Sequence, residues 1–222
     1  MRLFILTLVL LFPTLLPAQS AKELISSGPM AGYSTMRESA LWIQTTESAE
    51  VEILYYPEGE PENKVAAIGP GPTEHSKAYT ATFIADRVEP GSKYIYEVVV
   101  NGETIEFDYE TSFQTPELWR WRTDPPAFSV ALGSCAFVND PPYDRPGPGY
   151  GGQYEIFEAI HLADPDLMIW MGDNTYLRDP DWDSRTGIFY RYTHDRSIPQ
   201  LQPLLASTQH YATWDDHDFG PN

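Results

Sequence analysis

Cysteine is almost absent: the chain of 222 residues holds one, Cys135. A single thiol cannot pair within the chain, so a small scaffold stapled by disulfides is excluded. Positive charge is also scarce, with 14 Lys and Arg against 32 Asp and Glu and a formal net charge of −18. Such a surface repels a phosphate backbone, and stable binding of nucleic acid is not expected. Long apolar runs are missing beyond the first 18 residues, so the rest of the sequence offers no membrane span. Disorder is excluded by the 42% apolar content, while 20 prolines and 15 glycines point to a folded chain with many turns. The length suits one or two domains with a core of useful size.

Residues 1–18 read as a secretory signal peptide. Arg2 gives a positive start, Leu3 to Leu16 is uncharged and mostly apolar, and Pro17-Ala18-Gln19 offers a small residue for cleavage. The run is shorter than the ~20 residues a spanning helix needs, so removal is favoured over retention as an anchor. The expected location is secreted or periplasmic, with no membrane span after signal removal. A free thiol in an oxidising compartment must then be buried or bound to something.

The acids divide the rest of the chain. From Glu23 to Glu110 there are 14 Glu and only Asp86 and Asp108, whereas from Asp140 to Asp218 there are 12 Asp and only Glu155 and Glu158. Asp is the shorter acid of turns and rigid metal sites. Turn-rich segments choosing Asp also account for much of the shift, but it marks a boundary between 110 and 140. The expected organisation is a β-sandwich over 22–116, a linker over 117–126, and a second domain over 127–222.

In the first of these, Ala40 to Thr45, Val51 to Tyr56, Ala78 to Ile84, Lys93 to Val100 and Thr104 to Phe107 alternate apolar and polar residues as strands do. Asn101-Gly102 is a strong hairpin signal. About seven strands in ~90 residues fit an antiparallel sandwich. The run Val88-Glu89-Pro90-Gly91-Ser92-Lys93-Tyr94-Ile95-Tyr96 resembles the E–F corner of fibronectin type III-like domains, and Ser112 to Pro116 is similar to that fold's exit. This likeness speaks to fold and not to activity. No cluster of His, Cys or paired acids lies here.

Beyond 126 the pattern predicts strands over Phe128 to Leu132, Leu167 to Met171 and His210 to Trp214. Leu167 to Met171 is apolar throughout, as for a strand buried on both faces. Helices are predicted over Tyr154 to Leu162, with Ile156, Phe157 and Ile160 on one face, over 186–193, and after Pro199. The order β-α-β-α-β implies an α/β layered domain. Functional groups in such sheets gather beyond the carboxyl ends of the strands. Three successive strand ends carry Cys135, then Asp173 with Tyr176, then Asp215-Asp216-His217. If the strands are parallel neighbours, these groups converge. A thiolate and a phenolate favour a trivalent or soft transition ion, and Asp carboxylates a hard ion such as calcium. Bound cations would also reverse the local negative sign, which would otherwise repel a phosphate ester.

Gly172-Asp173-Asn174-Thr175-Tyr176 resembles the GDxxY block of calcineurin-like metallophosphoesterases. Trp214-Asp215-Asp216-His217-Asp218, with Asn222 soon after, is similar to the WDDH block of their alkaline phosphatase D family, and Gly133-Ser134-Cys135 to that family's first block. The spacer from Arg196 to Leu205 also resembles this family, whose members commonly carry a fibronectin- or immunoglobulin-like domain ahead of the catalytic one. The resemblance implies a fibronectin III/Ig-like β-sandwich followed by part of a four-layer α/β/β/α metallophosphatase domain. It implies Cys135, Asp173 and Tyr176 as ligands of iron, Fe(3+), with Asp173 bridging to calcium, Ca(2+). It implies Asp216 or Asn222 as a calcium ligand, Asp215 as a further ligand or its support, and His217 as the catalytic histidine that contacts phosphate or acts as acid. Arg196 becomes a possible phosphate contact, and so does Arg178, although either could serve in surface pairing. Ordinary alternatives remain: Tyr176 as a packed tyrosine, and His217 as a histidine that only orients a carboxylate.

The activity implied is metal-dependent hydrolysis of phosphate esters, with phosphomonoesters or phosphodiesters as partners and a monomer as the expected state. The family takes a later Asp and His as ligands, so the 222 residues are expected to be the first part of a longer enzyme, with weak metal binding and little turnover by themselves. Two other readings stand beside it. A purple acid phosphatase shares GDxxY and a leading fibronectin-like domain, but Cys135 and Asp215-Asp216-His217 depart from its usual blocks. An exported binding module with a degenerate phosphatase half is the non-enzymatic one.

Overall fold

The computed structural model describes residues 20–219. The predicted signal peptide and Asn222 therefore lie outside the described residues.

Eight strands build the first unit: β1 (Ile25–Ser34), β2 (Ser39–Thr45), β3 (Val51–Pro57), β4 (Val65–Ala66), β5 (Thr80–Ala85), β6 (Lys93–Val100), β7 (Glu103–Ile105) and β8 (Ser112–Gln114). They form two antiparallel sheets, β1-β2-β5 and β4-β3-β6-β7, with β8 on the second through β6. The period-2 pattern of β6 sends Tyr94, Tyr96, Val98 and Val100 inward. There they meet Ile53 and Tyr55 of β3, Leu41 and Ile43 of β2, Phe83 of β5 and Phe113 of β8. Asn101 and Gly102 both take positive φ (50° and 81°), the requirement of the tight turn that joins β6 to β7. The expected corner is also present, since the Tyr94 hydroxyl accepts the Glu89 amide at 2.7 Å.

Two expectations need correction here. The strand read over Ala78 to Ile84 begins at Thr80, because Ala78 and Tyr79 sit at φ of 52° and 56°, a left-handed conformation no strand contains. The segment read over Thr104 to Phe107 pairs only at Glu103–Ile105.

The second unit has strands β9 (Val130–Gly133), β10 (Leu167–Met171) and β11 (Gln209–Thr213), all parallel, in the order β11-β10-β9. Its helices are α1 (Glu155–Leu162), α2 (Arg185–Arg196), α3 (Gln202–Ser207) and the short α4 (Asp216–Phe219). Ser184 caps α2 by accepting the Gly187 amide at 3.0 Å. The core is Phe157, Met168, Trp170, Leu201, Leu204 and Leu205. Burial of each such side chain contributes about 1.5–3 kcal/mol.

β10 is not buried on both faces: Met168 and Trp170 are enclosed, while Met171 is 47% exposed. The same face of β9 carries Val130 and Leu132, both exposed, so the described helices cover one side of the sheet only. Phe157 and Ile160 pack inward as predicted, but Ile156 of α1 is exposed. Its helix is short, and the core contact is made by the narrower stripe of Phe157 and Ile160.

The two units share a packed boundary. Met30 of β1 joins the second core. The Ser27 hydroxyl donates to the Arg196 carbonyl at 2.7 Å, and the Gly28 amide to Gln202 Oε1 at 2.8 Å. The buried Tyr96 hydroxyl donates to the Ala206 carbonyl at 2.7 Å, tying β6 to α3. Among the described residues, no helix is long and apolar enough to cross a membrane.

Candidate metal centre

Parallel neighbours in the order β11-β10-β9 bring their carboxyl ends together, and the predicted groups follow. The backbone first turns sharply at two of them. Cys135 has φ of 59° and Asp173 of 51°, left-handed values that cost about 1–2 kcal/mol in a non-glycine residue. Strain of this kind persists where the surroundings over-determine it. Here they do, because the Cys135 amide donates to the Gly172 carbonyl (3.4 Å) and the Ala136 amide to the Asp173 carbonyl (2.9 Å). Gly172, at φ of 94°, allows the third strand end to approach: a Cβ there would lie 2.5 Å from Asp215 Cβ.

Asp173 stands at the centre. Its Oδ2 accepts the Tyr176 hydroxyl at 2.9 Å and faces Cys135 Sγ at 3.5 Å. Asp216 and His217 each bring a ligand atom within 4.8 Å of one on Asp173 and of each other. That spacing suits donors around one cation at 2.0–2.6 Å each. The Tyr176 and His217 ring centroids are 4.3 Å apart. Cys135 is exposed, which removes the reading of a buried inert thiol.

The donor set fits a cation on a second ground. Asp173 is buried, yet its Oδ1 has no hydrogen-bond partner. A buried acceptor with nothing to accept is costly, and a metal ion is the partner a carboxylate would take. Burial, followed by its hydrogen bonds with Cys135 and Asp173, pushes the Tyr176 phenol well above its ordinary value. The phenol keeps its proton beside these acids, and cation binding must displace it.

Asp215 and Asp216 separate in role. Asp216 joins the cluster with Asp173 and His217, while Asp215 packs against Gly172 and its Oδ1 accepts the Asp216 amide at 3.0 Å. Two further residues in this framework were not singled out by the sequence. Asp218 is buried and accepts the Asn174 amide (2.7 Å), Asn174 Nδ2 (3.1 Å) and the Asp215 amide (3.1 Å). It clamps the second strand end to the third. Asn174 Nδ2 also donates to the Thr213 carbonyl (2.9 Å), which fixes the amide's orientation. Its Oδ1 is then left buried and unpartnered. Asp218 was legible as a third acid in one short turn, and Asn174 as an amide inside the GDxxY block.

Neither arginine lies free beside the cluster. The Arg178 side chain is buried, paired with Asp144 at 2.8 Å, donating to the Val138 carbonyl at 2.7 Å, and stacked 4.2 Å from the Phe137 ring. That is a buried brace, not a surface pair. Arg196 is part-buried with its guanidinium 4.9 Å from the Trp170 ring centroid, and burial lowers its pKa. Arg191 is fully buried between Asp181 (2.7 Å), Asp140 (3.1 Å) and Asp195 (3.9 Å). Asp195 in turn accepts the Thr175 hydroxyl, so this network reaches the ligand loop.

Comparison with known proteins agrees with this architecture. A family model described as "Domain of unknown function (DUF7800)" matches residues 22–118. No match to the sequence was found among the curated proteins. Among solved structures the chain is similar to PhoD, with a TM-score of 0.69 and 18% identity over 93% of this chain and 41% of that one. It is also similar to purple acid phosphatase PPD1 from yellow lupin (Lupinus luteus) seeds, with a TM-score of 0.55 and 15% identity over 85% of this chain and 35% of that one. The chain thus spans about two fifths of the PhoD chain and about a third of the lupin one. At these identities the likeness is one of fold: an N-terminal fibronectin III/Ig-like sandwich followed by an α/β unit of metallophosphatase type.

Proposed function

We propose that this chain carries the first part of a metal-dependent phosphoesterase centre of the alkaline phosphatase D type, in an exported protein that hydrolyses phosphate monoesters or diesters. The observation that carries this reading is Asp173, held in a strained turn with one oxygen taken by Tyr176 and Cys135 and the other buried and unpartnered. A carboxylate so placed is suited to bridge two cations. Cys135, Asp173 and Tyr176 would hold iron, and Asp173 with Asp216 or Asn222 would hold calcium. A two-metal centre polarises the phosphoryl oxygens, supplies an activated water, and steadies attacking and leaving oxygens. The chain's own part is to fix that geometry. Asp218 and Gly172 hold the ligand loops together, and His217 beside Tyr176 faces the cluster as the proton-bearing or phosphate-contacting group. Residues 22–116 form the leading sandwich and 117–126 the linker in this reading, and Arg196 would reach phosphate only by leaving the Trp170 ring.

The departure of Cys135 from the purple acid phosphatase pattern favours the alkaline phosphatase D type. Elemental analysis tests it. Cys135→Ala, loaded with ferric iron and calcium in excess, is expected to lose iron before calcium. Equal loss of both metals, or loss of neither, contradicts the ligand assignment.

A further inference from the structure

A cavity of about 630 Å³ opens beside the metal centre, between the loop after β9 and the loop after Tyr176. Its walls are aromatic faces that are still open to solvent: Tyr143 is 46%, Tyr150 45% and Trp182 37% exposed. Phe137 connects this cavity to the centre. Its ring lies 5.3 Å from that of Tyr176, whose hydroxyl is bound to Asp173, and 5.4 Å from that of Tyr150, edge to face.

The walls are built rather than loose, although residues 146–152 are rich in Pro and Gly. Asn139 takes the Tyr150 amide on Oδ1 at 2.7 Å and donates to the Tyr150 carbonyl from Nδ2 at 2.5 Å, a two-point clamp. Asn139 is fixed by the Tyr154 hydroxyl, which accepts both its amide (2.8 Å) and Nδ2 (2.9 Å). Phe137 is held by the Arg178 guanidinium, which also lines the cavity and is fixed by Asp144. Arg145 lies 5.1 Å from the Tyr150 ring and forms no ion pair among the described residues.

We infer that this cleft seats the alcohol side of the ester, and that it selects phosphate esters whose alcohol carries a planar unsaturated ring, as a nucleoside or an aryl alcohol does. The inference rests on the phosphoesterase reading for the place of the phosphate. Phe137 lines the cavity and packs against Tyr176 of the centre, so an ester with its phosphate at the centre can lay its alcohol side along this ring toward the others. A lipid chain would have to bury Asp179 and Arg145, which also line the cleft, without satisfying them. A planar ring stacks on the aromatic faces and leaves its polar edge to those charges.

Calorimetric titration of the protein with adenosine 5′-monophosphate, phenyl phosphate and ring-free ribose 5-phosphate tests this, with adenosine as the phosphate-free arm. The ring-bearing phosphates are expected to bind more tightly than ribose 5-phosphate. Tyr150→Leu and, on the opposite loop, Trp182→Leu are each expected to weaken ring ligands roughly tenfold and to leave ribose 5-phosphate unchanged. Preference for adenosine 5′-monophosphate identifies a nucleobase, and preference for phenyl phosphate an aryl group. Ribose 5-phosphate binding as tightly as the others, or folded variants that weaken all three alike or none, overturns the inference. Adenosine binding that Tyr150→Leu weakens, with no gain from phosphate, supports ring recognition and counts against the phosphoesterase reading alone.

Discussion

Acidification should destabilise this fold through one buried histidine. His210 is enclosed between β10 and α3, and its two nitrogens have fixed roles. The Trp170 indole can only donate, and it does so to Nδ1 at 3.0 Å. Nδ1 must therefore be bare, and Nε2 carries the proton that it donates to the Leu204 carbonyl at 3.1 Å. A second proton on Nδ1 would face the indole N–H inside a low-dielectric core. Burial, with a smaller push from Arg196 against the pull of the Leu204 carbonyl, lowers the pKa of His210 from 6.5 to about 4. The folded state thus takes up its proton later than the unfolded state as pH falls. Stability contributed above pH 6.5 is lost through the window from 6.5 down to about 4. From the two values the loss between pH 7 and pH 5 is about 2 kcal/mol, and about 3 kcal/mol below pH 4. Urea unfolding of the wild type and His210→Gln at pH 7 and pH 5 measures it, because other acid-sensitive groups cancel in the difference. The gap between the two proteins should narrow by about 2 kcal/mol at the lower pH. A gap that does not change, or an imidazole resonance of folded His210 titrating near 6.5, would refute the reasoning.

Arg191→Met should cost about 3–5 kcal/mol in urea unfolding, since it leaves Asp140, Asp181 and Asp195 without their buried cation. Little change in the midpoint would mean that water already reaches the network. Gly172→Ala places a Cβ 2.5 Å from Asp215 Cβ at a φ of 94°. It should weaken iron and calcium binding at least tenfold while near-ultraviolet dichroism of the sandwich stays native, and unaltered affinities would show that the third strand end can move aside.

Sequence patterns disclosed what is periodic. Lys93–Val100 and Leu167–Met171 were legible to the residue. Alternation in the first follows from one buried and one open face, and the second shows as an unbroken apolar run bounded by turn residues, although only Met168 and Trp170 of it are enclosed among the described residues. β1 was not singled out, since Ile25–Ser34 carries Ser, Gly and Pro with no alternation and owes its place to pairing with β2. The order of the ligand clusters along the chain was legible too, and parallel pairing turned that order into proximity. The supports were not. Only the Arg191–Asp195 pair, four residues apart on α2, had a spacing that could have been read. Asp218 with Asn174, and Arg191 with Asp140, are contacts between distant loops, which no local spacing encodes. The same holds for Arg178, whose burial depends on Asp144 and Phe137 from another loop.

The central claim is that Tyr176 and its neighbours form a metal centre, and Tyr176 offers the most direct reading of it. A phenolate bound to ferric iron absorbs visible light by charge transfer from ligand to metal, and a free phenol does not. Ferric iron added to the protein should therefore produce a visible band that Tyr176→Phe abolishes and that a chelator removes. Iron that binds without colour, or a band of equal strength in Tyr176→Phe, would contradict the account.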